Sequence, residues 1–282
     1  MASVHSPIRT YLKPFLFRLI GNQGYLWFQY QAKKRDIRLR LVEEKEMATL
    51  PVWVRPGDDV IDIGANFGYY SVRLSQLAGP QGNVYAFEPI ADTHRICHKI
   101  LRHFKANNVM LYDCGVGEKN EERPFVVPLQ SFGFMSAGQA HVEGRNNQHE
   151  GNETYYQFSK EVTWKRHLVS LDTFLLPKLK RLTFVKIDIE GAEYFALKGM
   201  TQTLLQFRPV ILMEIVSFFL KGYGIYPEQL KQWMQEARYG CFEYDEKQKK
   251  LIPATKENWD GNYILIPVEK QKGDGNILEW RR

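Results

Sequence analysis

The chain has 282 residues, 44% of them hydrophobic and 25% charged, which is enough to bury a full core in a large domain. A net charge of +6 and a pI near 9.0 are a mild basic excess of scattered Lys and Arg, too diffuse for a dedicated nucleic-acid binder. Cys97, Cys114 and Cys241 are far apart and odd in number, which excludes a disulfide framework or a zinc site and suits a reducing, cytoplasmic setting.

Residues 1–50 have helical or mixed patterning and form a candidate N-terminal cap. Lys13 and Arg18 interrupt the apolar run a signal peptide would need, and nowhere do about 18 apolar residues follow one another. This segment alternates aromatic with basic residues. It fits either an arm packed on the core or a helix lying on a membrane surface. After the turn signal Pro56-Gly57 the pattern becomes regular. DVIDIGA (59–65) predicts a buried strand and 67–79 a helix closed by glycine. NVYAFEP (83–89) predicts a second strand. Residues 91–107 predict an amphipathic helix with Ile96, Ile100, Leu101 and Phe104 on one face, and 109–117 a third strand. Alternating strands and helices imply a parallel sheet covered on both faces. Residues 118–160 break the rhythm and predict a lid-like insertion, part hairpin and part loop. Strands or strand-to-helix units follow at 161–175, 183–200 and 209–215. A helix is expected over 227–240 and a final strand pair at 241–246 and 262–267, before a tail at 269–282.

In a parallel sheet, ligands bind at the carboxyl ends of the strands. DIGANFG ends the first strand. Gly64 would let the backbone approach a ligand, and Gly68 would let the helix pack near the strand. Glu88 ends the second strand, where a carboxylate can take both hydroxyls of a ribose. The spacing Gly64-Ala65-Asn66-Phe67-Gly68 lacks the middle glycine that a dinucleotide pyrophosphate requires. Asp62 would repel that pyrophosphate but suits a cation, so the turn favours S-adenosylmethionine over a nicotinamide cofactor.

VIDIGANFGYYSVRL, NVYAFEPI, VSLDTFL, VKIDIEGAEYFALKGM, PVILMEI and NYILIP, in this order, resemble the FkbM family of S-adenosylmethionine-dependent methyltransferases across residues 52–268. The resemblance implies a Rossmann-like α/β fold of seven strands, mostly parallel with the last antiparallel. It also implies methylation of a hydroxyl, typically on a sugar or a polyketide-type natural product. Carried over residue by residue, the glycine-rich motif falls on Asp62, Gly64, Asn66 and Gly68, and the ribose acid on Glu88. Asp113 and Cys114 fall where such folds contact adenine. The methyltransferase domain is then 51–268, with the insertion inside it.

IDIEGAE sets Asp188 and Glu190 two residues apart at a strand end, with Glu193 on the following helix and Lys186 on the Asp188 side. Glu214 ends the next strand. Methylation of a hydroxyl needs a base, and Asp188 is the first candidate, followed by Glu190, Glu214 and His167. The bland alternatives are that Glu190 and Glu193 cap the helix and that Lys186 pairs with Asp188. The carboxylates would suit magnesium or manganese, but no accompanying His or Asn ligands are evident, so no metal is expected. The expected function is O-methylation of a small-molecule, sugar or glycan acceptor bearing a free hydroxyl. The alternatives are a nicotinamide oxidoreductase and a non-catalytic cofactor-binding module that recruits a partner or a membrane.

Overall fold

The computed structural model describes residues 13–129, 137–146, 160–255 and 259–271. The chain opens with α1 (Lys13–Leu39), bent at Gly21, and a short α2 (Leu50–Trp53). There follow β1 (Asp59–Ile63), α3 (Tyr69–Ala78), β2 (Asn83–Phe87), α4 (Ala91–His103), β3 (Val109–Tyr112) and β4 (Gly115–Val116). The insertion carries β5 (Glu121–Pro128) and β6 (His141–Val142), and β7 (Glu161–Val169) leads out of it to α5 (Leu171–Phe174). The remainder is β8 (Leu182–Ile187), α6 (Glu193–Lys198), α7 (Thr201–Phe207), β9 (Val210–Val216), α8 (Ser217–Gly222), α9 (Pro227–Glu236), β10 (Tyr239–Asp245), β11 (Lys250–Pro253) and β12 (Asp260–Pro267).

The main sheet has the order β11-β10-β12-β9-β8-β1-β2-β3. β3, β2, β1, β8 and β9 are parallel, and β12 runs antiparallel to both β9 and β10. This is the expected seven-stranded, mostly parallel sheet with its last strand antiparallel, extended at one edge by β11. Every residue of β1 is buried, because neighbours flank it on both sides. Alternation sends Ile61 and Ile63 into a core with Leu171, Ala196 and Leu230. Val60 points the other way, with Leu74 and Phe184. In α4, Ile96, Ile100 and Leu101 are buried as the periodicity predicts, while Phe104 is half-buried past the helix end.

Two expectations are corrected. The single strand expected over 109–117 divides at Asp113–Cys114: β3 stays in the main sheet, whereas β4 joins a second sheet of order β4-β7-β5-β6. The final strand pair is a group of three, because β11 forms a hairpin with β10. The described part of the insertion includes strand β5, although its composition is polar. Alternation along β5 and β7 supplies Phe125, Val127 and Leu168 to a small core with Ile90.

Candidate active site

A cavity of about 620 Å³ opens at the carboxyl ends of β1, β2 and β8, lined by Gly64, Asn66, Glu88, Ile90, Val116 and Asp188 among others. The second sheet and the insertion roof it with Phe125, Gly138, Ala140 and Val142.

Glu88 is buried, and its carboxylate is aimed by the chain itself. Oε2 accepts from the Asn66 N–H at 2.9 Å and Oε1 from the Ile90 N–H at 2.8 Å. Burial raises its pKa to about 7, opposed by those two bonds. Each oxygen accepts one backbone bond, which leaves it capacity to accept another from a diol. Asn66 sits at φ +49°, and its Oδ1 is a buried acceptor with no hydrogen-bond partner among the described residues. An orphaned acceptor beside an aimed carboxylate and apolar walls fits a ligand with hydroxyl or ammonium donors and a flat base.

The glycines act on the protein's own backbone. A Cβ on Gly64, at φ +81°, would lie 1.9 Å from the Asp188 carbonyl oxygen, so the close approach is to the end of β8 as well as to the cavity. A Cβ on Gly68, at φ +86°, would lie 3.1 Å from Cys97 Sγ, so Gly68 admits α4 rather than the strand.

Asp62 is corrected: it is fully buried under α3 and does not line the cavity. Its Oδ2 accepts from Ser71 Oγ at 2.5 Å, and its register partner on β8 is Lys186. The cation it serves is therefore that ammonium. Burial raises the Asp62 pKa, and Lys186 opposes the rise. Asp113 is corrected too. It is exposed at the bend after β3, and Gly115 and Val116 reach the cavity instead.

The carboxylate cluster assembles as expected, with one exclusion. Asp188 lines the cavity, and Lys186 Nζ donates to its Oδ2 at 2.9 Å, so the anticipated pair forms. Glu190 also lines the cavity, at φ +57° and with a pKa raised to about 8 by burial and the Asp188 charge. Glu214 lies behind Asp188. Burial first, then the Asp188 and Glu190 charges, hold its carboxyl well above the usual range, and its hydrogen bond with Asp188 adds to the rise. Carboxylate oxygens of Asp188, Glu190 and Glu214 lie within 4.8 Å of one another, a spacing a divalent cation could also use. Glu193 is the local cap: its Oε1 accepts from the Ile189 and Gly191 N–H groups. His167 is excluded. It is exposed on β7 in the second sheet, opposite Glu122, and does not line the cavity.

Sequence reasoning missed Arg145. Its guanidinium is nearly buried, donates to the Glu190 carbonyl at 2.7 Å, lies 3.8 Å from Glu190 Oε2 and covers the Phe219 ring at 4.5 Å. Two further bonds pin the same segment, Asn146 N–H to Gly222 O and Tyr223 OH to Val142 O. Arg145 lies in a polar run with no periodicity, so nothing local marked it. The aromatic-rich stretches of the insertion, with Phe132, Phe134, Met135, Tyr155, Tyr156 and Phe158, offer an acceptor wall by composition but lie outside the described residues.

The methyltransferase FkbM domain model matches residues 62–241. "Methyltransferase 1" of Beauveria bassiana is 26% identical over 148 residues, covering 50% of this chain and 57% of that protein. The matched stretches span 57% and 34% of the lengths of the two curated relatives. Among solved structures, methyltransferase FkbM from Methylobacillus flagellatus aligns with a TM-score of 0.45 at 15% identity, over 84% of this chain and 59% of that one. The O-methyltransferase TomG from Streptomyces achromogenes, solved with its methyl donor, aligns at 0.45 and 12%, over 84% and 89%. The sheet order and a cavity at the carboxyl ends of its parallel strands define a Rossmann-like fold with a ligand site. The chain belongs to the FkbM methyltransferase family, whose cofactor is S-adenosylmethionine; this sets the nicotinamide alternative aside.

Proposed function

We propose that the protein is an S-adenosylmethionine-dependent O-methyltransferase acting on a hydroxyl of a sugar, glycan or related natural-product metabolite. The observation that carries this is a cavity-facing carboxylate, Asp188, backed by Glu214 and fixed by Lys186, at the same strand ends as Glu88.

The bound cofactor supplies an electrophilic methyl group. Glu88 would hold its ribose, and Asn66 would accept from one of its donors. Ile90, Val116 and Phe125 would enclose the base and keep water out. Asp188 and Glu190 line the same cavity. Asp188 would take the acceptor's proton as the oxygen attacks, and Glu214, hydrogen-bonded to it, would tune its basicity. Lys186 fixes the Asp188 carboxylate, so much of the acceleration is positioning. Since this ammonium already supplies a cation to Asp188, the reading needs no metal.

The test is to incubate the protein with the methyl donor and a panel of sugars, glycans and hydroxylated metabolites. S-adenosylhomocysteine release and methylated product would be followed by mass spectrometry, with and without chelator. Asp188→Asn is expected to lower turnover by roughly 100-fold or more while S-adenosylhomocysteine binding persists. Methylation of an amine, or unchanged turnover in Asp188→Asn, would overturn the reading.

A further inference from the structure

The charge and the exposed apolar surface of this protein are not spread evenly. Residues 13–41 hold seven Lys and Arg against the single acid Asp36, an excess equal to the +6 of the whole chain. Of the eleven large apolar side chains exposed among the described residues, seven lie between Leu19 and Val42. Leu19 is 69% exposed and Trp27 is 59% exposed, whereas most of the other described aromatics are covered.

The helix that carries them has two distinct faces. Tyr25, Leu26, Tyr30 and Ile37 pack into a core with Ile96, Cys97, Ile100 and Leu101, so one face of α1 is fixed to α4. Asp36 turns inward, where it accepts from the Tyr69 hydroxyl. The opposite stripe runs Trp27, Gln31, Lys34 and Arg38 at helical spacing, flanked by Phe28 and Arg35. Trp27, Phe28, Arg35 and Arg38 on that stripe are exposed. Arg40, Leu41 and Val42 continue the exposed surface beyond the helix.

We propose that the outer face of α1 docks the protein on an anionic lipid surface. Trp27 and Phe28 would enter the interface, and Lys34, Arg35 and Arg38 would pair with lipid phosphates and carboxylates. Aromatic and basic residues on one face, above an inner face already anchored to a rigid domain, suit a surface that is apolar below and negative above. No described helix is long and apolar enough to cross a membrane, so the contact is peripheral. Because Lys33 lies 4.9 Å over the Phe67 ring, beside the Gly64–Gly68 turn, docking would present the cofactor side of the domain to the lipid.

The test uses the full chain and sedimentation with vesicles of phosphatidylcholine, alone or with a third phosphatidylserine. The expected result is binding to the anionic vesicles only, weakened by raised salt. Arg35→Glu with Arg38→Glu should lower partitioning by roughly 10-fold to 100-fold or more. Trp27→Ser with Phe28→Ser should lower it at unchanged net charge, with S-adenosylhomocysteine binding retained in both. No sedimentation with anionic vesicles, or sedimentation indifferent to both pairs, would overturn the proposal. So would concentration-dependent dimerisation of the lipid-free protein that the Trp27 variant abolishes, since the face would then belong to a second copy.

Discussion

Replacing Lys186 by Met should be among the most damaging single changes to the fold that leaves the cavity lining in place. Lys186 is 4% exposed, its ammonium is 2.9 Å from Asp188 Oδ2 and 3.4 Å from the Gly64 carbonyl, and it is the register partner of the fully buried Asp62. Methionine fills the same volume but leaves two carboxylates without their cation. Breaking a buried pair by removing one partner costs about 3–5 kcal/mol. At roughly 2–4 °C per kcal/mol for a domain of this size, Tm should fall by about 6–20 °C. The deficit should depend on pH. Asp62 already has a raised pKa, and in the variant it rises further, so the folded state holds a proton that the unfolded chain releases. That contribution is complete below the unfolded pKa and is lost as pH rises through the folded one, so the deficit grows with pH. Differential scanning fluorimetry at about pH 5 and pH 8 reads both effects. A fall of less than about 2 °C, or one equal at both pH values, would refute the assignment of Lys186 as the counter-ion of this cluster.

Gly64→Ala adds left-handed strain to a Cβ placed 1.9 Å from the Asp188 carbonyl, so β1 and β8 must separate. A loss of about 3 kcal/mol in a denaturant titration is expected, with weakened cofactor binding. In the wild type, burial raises Glu88 and Glu193 to about 7, and burial with the Asp188 charge raises Glu190 to about 8. Their protonated forms favour folding fully below the ordinary carboxylate pKa and lose that effect as pH climbs through 7 to 8, so the ligand-free Tm should be higher near pH 5.5 than near pH 8.5. Arg145→Ala frees the Glu190 loop and its own segment, so limited digestion with the broad-specificity proteinase K should cut within residues 137–146 at least about 10-fold faster, while the global Tm changes little.

Sequence patterning located the sheet, because fully buried parallel strands read as unbroken apolar runs ending in Gly64, Glu88 and Asp188. It also brought Asp188, Glu190 and Glu214 to one rim, since the adjacent ends of β8 and β9 must converge. It misplaced Asp62, because a strand-end carboxylate and a strand-interior one look alike until the register with Lys186 is known. It misread Asp113, because a bend of two residues sends Gly115 and Val116 to a second sheet. Arg145 was invisible because its partner stands 45 residues away in sequence. His167 looked chemical by residue type alone, and its strand turns it to solvent.

The central claim is that Glu88 and the β1 turn hold S-adenosylmethionine. Calorimetric titration of the wild type and of Glu88→Ala with S-adenosylhomocysteine tests it directly. The account predicts roughly micromolar binding by the wild type and a loss of about 100-fold in the variant, because two charge-assisted ribose hydrogen bonds disappear. No binding by a folded wild type, or equal affinity in both proteins, would contradict it.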